Sequence, residues 1–212
     1  MSRRDYPKQL EIADRHLGRT DPLMRRLVRA HGPCGLEPAW KRSPYEALVR
    51  AVIYQQLTGH VAGKIMERFV DLFPEAQFPG PDALLGASEE LLRSAGLSRQ
   101  KAGYIRDIAL HARTGVVPLR RSAIARAGDE AIIERLTQVK GIGRWTVEML
   151  LIFTLGRLDV LPVDDYGVRK GYVRAAGRDD PVKPRELGEI GTRWAPYRSV
   201  ATWYLWRAAE AQ

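Results

Sequence analysis

Apolar residues recur at helical spacing along almost the whole chain. No segment shows the alternation of apolar and polar residues that is typical of a half-buried strand, and no segment repeats. The pattern therefore predicts an all-α fold. In the predicted helix of residues 98–114, the apolar positions that share one face are Ala102, Ile105, Ile108 and Ala109.

The predicted helices begin at residues with ordinary capping signals. Ser43 can cap a helix, Pro44 suits its first position and Glu46 completes a capping box. Asp129 is expected to cap a later helix. The predicted helices span about Lys8–Leu17, Pro22–Ala30, Pro44–Leu57, Val61–Leu72, Ser98–Thr114, Asp129–Gln138, Arg144–Leu155, Asp165–Ala176, Pro184–Trp194 and Tyr197–Ala209, with short helices near Leu84 and Leu91.

Length and composition allow one sizeable domain or two small lobes that share a core. Of the 212 residues, 45% are hydrophobic, which is enough for a packed core. No linker divides the chain. Two interleaved lobes are therefore expected rather than independent domains.

The charge balance indicates a polyanionic partner. Lys and Arg number 34 against 25 Asp and Glu, which gives a net charge of +9. Such a balance favours nucleic acid, although a basic protein without that partner has the same signature. Because the basic residues are spread along the chain, a DNA-binding surface has to be assembled by folding.

Cysteine and histidine usage argues against several kinds of site. Cys34 is the only cysteine, which excludes intrachain disulfides and a cluster held by four cysteines of this chain. His16, His31, His60 and His111 lack metal-ligand spacing, so no metal or other cofactor is expected on them. No apolar run reaches membrane-spanning length and the first residues lack a signal-peptide segment, so a cytoplasmic location is predicted.

A glycine turn separates two predicted helices at residues 139–143. Gly141 and Gly143 allow positive φ and close approach of a partner, while Ile142 can pin the turn to the core. Backbone amides at the start of the following helix favour an anion such as one DNA phosphate. The carbonyls of Val139 and Gly141 could also hold a monovalent cation. The alternative is a purely structural turn with glycine at a C-cap.

Two carboxylates, Asp164 and Asp165, open a helix that lies 22 positions after Gly143. A helix of about 12 residues would carry the chain roughly 18 Å away from the turn. The segment that follows is long enough to return at ~3.3 Å per residue if it is extended, which Pro162 favours. We therefore expect Asp165 to lie near the glycine turn. The alternative is that both acids only cap a helix.

These segments resemble the helix-hairpin-helix, glycine/proline-rich, aspartate superfamily of DNA glycosylases. Within it, the chain looks like the branch of 3-methyladenine DNA glycosylase II, the alkylpurine glycosylases. The resemblance covers about Tyr45–Arg207. The other segments that carry it are residues 43–49, 54–58, 95–98 and 193–199, together with Lys101 and Tyr104–Arg106.

The resemblance assigns roles to the acidic pair and to the turn. In the family pattern an aliphatic residue stands three positions after the catalytic aspartate. Val168 satisfies this pattern for Asp165, whereas Asp164 would have a glycine there. Asp165 is therefore the predicted catalytic residue, and Asp164 is predicted to cap the helix or to support its neighbour. The predicted DNA contacts of the turn are Gly141, Gly143, Arg144 and Thr146.

Position 145 decides the chemical subclass that the resemblance implies. Glycosylases that also cut the backbone carry a lysine there, which forms a Schiff base with the sugar. Here the residue is Trp145, and the neighbouring Arg144 cannot act as an amine nucleophile. The expected enzyme uses water and has no lyase activity.

The resemblance also implies a base pocket and a wedge. Trp145 and Trp206 match aromatic pocket positions, where an indole attracts a cationic methylated base; the alternative is that they are core residues. Met149 replaces a tyrosine found in some relatives, which leaves the range of accepted bases open. Leu57 with Gln56 is expected to fill the gap left by a flipped nucleotide, unless Leu57 is a core residue at a helix end.

The expected architecture has two lobes with a cleft between them. Residues 37–147 form a six-helix lobe that ends in the helix-hairpin-helix, and residues 1–36 with 148–212 form the lobe of Asp165. The expected function is hydrolysis of the N-glycosidic bond of alkylated bases, such as 3-methyladenine and 7-methylguanine, in duplex DNA during base excision repair. A monomer at the nucleoid would act without a cofactor. The alternatives are a glycosylase for another lesion and a non-catalytic protein that binds damaged DNA.

Overall fold

The computed structural model describes residues 3–211, and within them it contains helices and no strand, which confirms the all-α prediction. No helix in this range has the length and apolar run needed to cross a membrane. Short 3-10 helices lie at Arg121–Ala123 and Thr192–Trp194, between the α-helices. The helices are α1 Tyr6–Thr20, α2 Pro22–His31, α3 Pro44–Tyr54, α4 Gly59–Asp71, α5 Pro81–Gly86, α6 Glu89–Ser94, α7 Arg99–Arg113, α8 Asp129–Leu136, α9 Arg144–Phe153, α10 Tyr166–Ala176, α11 Pro184–Gly191 and α12 Arg198–Glu210.

The start of α3 follows its predicted capping. Ser43 Oγ accepts a hydrogen bond from the backbone N–H of Glu46 at 3.1 Å, and Pro44 stands in the first turn. The Glu46 carboxylate contacts Arg50 Nε at 2.8 Å and lies 3.8 Å from Arg42 Nε. The serine cap is therefore confirmed, and the glutamate side chain forms ion pairs with the arginines on either side of it.

The predicted cap of α8 was wrong by one residue. The helix begins at Asp129, and Gly128 is the N-cap with an extended backbone. Asp129 and Glu130 are instead the acidic residues of the first turn. There they interact favourably with the positive end of the helix dipole.

The described residues form two compact units. The first, called here the hairpin unit, runs from Lys41 to Leu150. The second, called the aspartate unit, combines the described residues up to Trp40 with those from Leu151 onward.

Helix α7 is central to the hairpin unit and packs against α3, α5 and α6. Its predicted apolar face is confirmed, because Ala102, Ile105, Ile108 and Ala109 are all 0% exposed. Its other side chains face solvent, as Leu110 does at 49% exposed, or the loops around the helix. This arrangement places the polar residues of α7 beside the turns of the unit.

Helix α12 is central to the aspartate unit and packs against α10, α2 and α1. It crosses α10 so closely that a Cβ atom on Gly171 would lie 1.8 Å from the carbonyl oxygen of Leu205. Trp194 is fully buried, and its indole N–H donates to Asp21 Oδ2 at 2.8 Å. The close crossing fixes where the later residues of α12 meet α10.

Candidate functional site

The glycine turn of the hairpin unit joins α8 to α9. Val139 and Ile142 are buried, and the N–H of Ile142 donates to the carbonyl of Val139 at 3.1 Å. Gly141 uses the positive φ that the sequence analysis allowed for both glycines, at +79°, whereas Gly143 does not. The alternative of a glycine C-cap is wrong, because the C-cap of α8 is Thr137 in a right-handed conformation.

The two glycines of the turn have different surroundings. A Cβ atom on Gly141 would lie 2.3 Å from Cδ2 of Tyr104, so the aromatic ring fills the space that this glycine leaves. A Cβ atom on Gly143 would meet nothing within 4 Å. Room for a partner at the position of the missing side chain therefore exists at Gly143 and not at Gly141.

Side chains brace the backbone of the turn. The N–H of Lys140 donates to Asp107 Oδ2 at 2.8 Å, and the carbonyl of Gly141 accepts from Gln55 Nε2 at 3.1 Å. The carbonyls of Val139 and Gly141 thus each accept one hydrogen bond already. A carbonyl oxygen has two lone pairs, so a monovalent cation on this pair stays a prediction. Among residues 3–211, no group of three or more His, Cys, Asp or Glu side chains is arranged as metal ligands.

Arg144, a predicted DNA contact, makes ion pairs within the hairpin unit. Its Nη1 lies 3.0 Å from Glu130 Oε2, its Nη2 contacts the other oxygen of Glu130, and its Nε lies 3.1 Å from Glu148 Oε1. The hydrogen bond with Glu130 raises the pKa of the Arg144 guanidinium. Pairs at this exposure contribute little, about 0–1 kcal/mol, so a phosphate could replace Glu130. Thr146 is only 5% exposed, which leaves it little surface for a DNA contact.

The predicted wedge residues lie on a turn that follows α3. Gln56 is exposed and has a φ of +57° although it is not glycine. Leu57 is 38% exposed, so the alternative of a core leucine is wrong. Tyr54 and Val61 are exposed as well, and the turn thus belongs to an apolar part of the surface of the unit.

Two predicted pocket residues lie on α9. Trp145 is 46% exposed, and Met149 is half-buried. Positions four residues apart share one face of a helix, so the two side chains are neighbours on that face. An indole with this exposure is available to a ligand, and the alternative of a core tryptophan does not hold for Trp145.

In the aspartate unit, Asp165 is the N-cap of α10. Its Oδ1 accepts hydrogen bonds from the backbone N–H of Val168 at 2.8 Å and from Nε1 of Trp206 at 3.0 Å. Of the two roles predicted for Asp164, that of helix cap is therefore wrong, and support of its neighbour stays a prediction. The Asp164 side chain is exposed. A turn from Pro162, whose carbonyl accepts from the N–H of Asp165 at 3.0 Å, sets the backbone direction that allows this cap.

Trp206 is half-buried and connects the carboxylate to an aromatic pair. Its ring stacks on Phe153 with centroids 5.5 Å apart and an interplanar angle of 19°. The edge that carries the N–H is turned to Asp165. The close crossing of α10 and α12 at Gly171 and Leu205 places this indole beside the start of α10.

Residues 49–196 match the family model described as HhH-GPD superfamily base excision DNA repair protein. The chain belongs to the HhH-GPD superfamily.

Similar proteins agree with this membership. The chain is 41% identical to DNA-3-methyladenine glycosylase 1 of Schizosaccharomyces pombe, over 95% of this chain and 88% of that protein. A solved structure of the S. pombe 3-methyladenine DNA glycosylase Mag1 in complex with abasic DNA has a TM-score of 0.83 and 39% identity, covering 92% of this chain and 95% of that one. A DNA-3-methyladenine glycosidase from Bacillus halodurans has a TM-score of 0.84 and 34% identity, covering 94% and 89%.

Several residues of this HhH-GPD chain that shape the candidate site had no predicted role. Lys101 and Tyr104 belong to a segment that carried the family resemblance, which was the signal that could have drawn attention to them. Gln55 also lies in such a segment, residues 54–58, whereas Asp107 lies in none. The partners of Gln55 and Asp107 are 86 and 33 positions away along the chain. Phe153 is the last residue of α9, and nothing in the sequence pairs it with Trp206.

Proposed function

We propose that the protein is a monofunctional DNA glycosylase that removes alkylated purines, among them 3-methyladenine and 7-methylguanine, from duplex DNA. The observation that carries this proposal is the Asp165 carboxylate, whose Oδ1 is held by two N–H donors at 2.8 and 3.0 Å. A carboxylate fixed in this way can act on a sugar without first having to be ordered. The names of the relatives, which are 3-methyladenine DNA glycosylases, support the substrate class.

Asp165 would serve the reaction at the sugar carbon C1′. As the C1′–N bond breaks, its electron pair leaves with the base and positive charge develops on the sugar, which the carboxylate stabilises. Water then bonds to C1′, and its proton passes to Asp165 and on to solvent. A methylated purine that carries a positive charge leaves as a neutral base, so no strong general acid is required. The product is an abasic site.

The residues at the start of α9 support hydrolysis without strand cleavage. Trp145 stands where lyases of this superfamily carry the lysine that attacks the sugar. Arg144 cannot replace it, because its pairing with Glu130 raises the pKa of a guanidinium that is already always protonated. The exposed indole of Trp145 instead offers a surface that attracts a cationic base more strongly than a neutral one.

One copy of the protein would bind duplex DNA, and it would do so through the hairpin unit. One phosphate would bind at the open face of Gly143 and to the backbone amides that follow it. The exposed side chains of Gln56 and Leu57 would fill the gap left by a flipped nucleotide. Both contacts are independent of base sequence. This independence fits an enzyme that has to find a lesion in any context.

The test compares Asp165→Asn with Asp164→Asn on duplex DNA that has been treated with a methylating agent. Asparagine keeps an oxygen that can cap α10 and accept from Trp206, so only the charge at position 165 is lost. We expect Asp165→Asn to lower release of methylated bases by about 100-fold or more while DNA binding persists. Asp164→Asn makes the same charge change on an exposed neighbour and should stay within about threefold of the wild-type rate.

Three outcomes would contradict the proposal. Near-normal release by Asp165→Asn would remove the catalytic assignment. If the wild-type protein binds methylated duplex but releases no base, the protein is a damage-binding protein or acts on another lesion. Product strands that break without alkali or heat would contradict the monofunctional chemistry.

A further inference from the structure

Helix α7 presents three side chains to two different loops of the hairpin unit. Lys101, Tyr104 and Asp107 are spaced by three residues, which places them along one side of the helix. None of them had a predicted role in the chemistry or in DNA binding. Each of them contacts the backbone of the wedge turn, defined as residues 55–57, or of the glycine turn.

Lys101 holds the backbone where α3 ends. Its Nζ donates to the carbonyl of Ile53 at 2.8 Å and to the carbonyl of Gln55 at 2.7 Å. The last carbonyls of a helix have no partner within the helix, and a cation is favoured there by the helix dipole. Burial lowers the pKa of Lys101, but two charge-assisted hydrogen bonds favour the ammonium form.

The wedge turn needs such support because its backbone is strained. Gln56 has a φ of +57°, a conformation that costs energy for a residue with a Cβ atom. On one side of Gln56, Lys101 holds the carbonyl of Gln55. On the other side, the N–H of Leu57 donates to the carbonyl of Tyr54 at 3.3 Å, which is long for a hydrogen bond.

The other two side chains of α7 hold the glycine turn. The ring of Tyr104 lies where a side chain on Gly141 would be, and Asp107 accepts from the N–H of Lys140 at 2.8 Å. Gln55 closes the arrangement, because its side-chain amide donates to the carbonyl of Gly141 at 3.1 Å. The wedge turn and the glycine turn are therefore connected both directly and through α7.

We propose that Lys101 is a positioning residue that fixes the wedge turn relative to the glycine turn, so that both loops meet the duplex at a set spacing. Lys101 itself makes no contact with DNA in this proposal. The inference rests on the proposed function, because that function assigns DNA contacts to the two loops. The consequence is that Lys101 strengthens binding to a duplex that has a gap in its base stack, although Lys101 contacts no phosphate.

The test measures binding of Lys101→Met, Lys101→Arg and Lys8→Met to two duplexes that differ only by one tetrahydrofuran abasic site. Methionine keeps the length of the stem and removes the charge and both hydrogen bonds. Lys8 is an exposed residue of α1, so Lys8→Met is a control for the loss of one positive charge. We expect Lys101→Met to weaken binding to the abasic duplex about tenfold more than binding to the intact duplex, Lys8→Met to show no such difference, and Lys101→Arg to recover part of the loss.

Salt dependence separates positioning from a phosphate contact. For Lys101→Met the slope of log K against log[salt] should equal that of the wild type, since no phosphate contact is lost. A slope reduced by about 0.9 would mean that Lys101 binds a phosphate, which would overturn the proposal. Equal losses on both duplexes would also overturn it.

A second variant keeps the inference testable if Lys101→Met is poorly folded. Gln55→Leu removes the direct link to Gly141 and leaves Lys101 in place. If both residues serve one arrangement, Gln55→Leu alone lowers the preference for the abasic duplex as well. Where Lys101→Met does fold, the effects of the two changes are not additive in the double variant. A preference that Gln55→Leu leaves unchanged would contradict the inference.

Base release, measured alongside, separates the two proposals. Suppose that the wild-type protein prefers the abasic duplex but releases no methylated base. This result would contradict the proposed function, and the binding of the variants would still decide the positioning role of Lys101. A wild-type protein that releases base, with a Lys101→Met variant that behaves as Lys8→Met does, contradicts the positioning role alone.

Discussion

The two candidate regions of this molecule are ordered by opposite means. In the wedge turn and the glycine turn of the hairpin unit, the ordering contacts end on backbone atoms, as where Lys101 reaches the carbonyl of Gln55 and where Asp107 accepts from the N–H of Lys140. In the aspartate unit, the contacts end on the functional side chain itself, because Val168 and Trp206 both donate to Oδ1 of Asp165. One region fixes its main chain, and the other fixes a carboxylate.

This difference matches the tasks proposed for the two regions. A loop that adapts to any DNA sequence benefits from a rigid backbone with exposed side chains, and Gln56 and Leu57 are exposed. A carboxylate that stabilises a transition state has to be oriented before the reaction starts. Changes in the wedge turn and the glycine turn should therefore alter DNA affinity, and changes around Asp165 should alter turnover.

The largest effect that would test this contrast is expected at Gly141. Gly141→Ala brings a Cβ atom to 2.3 Å from the Tyr104 ring at a φ of +79°. We expect a loss of about 2–4 kcal/mol in the free energy of unfolding and a large loss of DNA affinity. Gly143→Ala meets nothing within 4 Å and should cost less than about 1 kcal/mol. Urea unfolding and fluorescence anisotropy measure both quantities, and equal unfolding midpoints for the two variants would contradict the packing described for Tyr104.

A smaller effect, confined to turnover, is expected at Trp206. Trp206→Phe keeps a ring against Phe153 and removes the N–H that donates to Asp165. The net value of such a bond, about 1–1.5 kcal/mol, predicts a single-turnover rate that is about tenfold lower with DNA affinity within about twofold. Trp203→Phe on the same helix is the matched control and should keep the wild-type rate. A change in affinity without a change in rate would place Trp206 in the binding region instead.

An effect on rate of similar size, but one that depends on the charge of the base, is expected at Trp145. Trp145→Ala removes an indole that is 46% exposed, so folding stability should change little. A cation–π contribution of about 0.5–2 kcal/mol predicts a roughly 2- to 30-fold lower rate for a cationic 3-methyladenine lesion. Neutral lesions such as hypoxanthine provide the comparison. Equal losses on cationic and neutral bases would show that the ring acts through shape and not through charge.

The smallest expected effect concerns the ion pair of Arg144. Glu130→Gln frees the guanidinium for a phosphate and should tighten DNA binding about two- to threefold, with a steeper salt dependence. Glu134→Gln removes the same charge from an exposed position of the same helix. Equal gains for the two variants would mean that only net charge matters and that Arg144 stays paired when DNA binds.

The sequence alone predicted those parts of the structure that depend on residues close to one another along the chain. The buried face of α7, the Ser43 cap and the positive φ of Gly141 all follow from local pattern and local sterics. Asp129 was expected to be a cap, and Asp164 was expected to be a cap or to support its neighbour, yet the caps are Gly128 and Asp165. Several acceptable caps stood side by side at each of these helix starts, and tertiary packing decided between them.

The contacts that order the candidate sites could not be predicted because they join distant positions. The bond from Trp206 to Asp165 spans 41 positions, and the one from Gln55 to Gly141 spans 86. A single sequence carries no signal for such pairs, since each residue is compatible with many partners. The filled space at Gly141 is an example: glycine predicted the backbone conformation, but nothing indicated that Tyr104 would occupy the space.

The division of the aspartate unit into two stretches of chain has a consequence for how the protein is made. Its side-chain hydrogen bonds join residues as far apart as Asp14 and Tyr204, which are separated by 190 positions, and Asp21 and Trp194, separated by 173. On the ribosome, Lys41–Leu150 can acquire its own core while the last third of the chain is still being translated. The first forty residues have to wait for their partners through this time. An interruption of translation would therefore leave α1 and α2 without α12, the helix against which both of them pack.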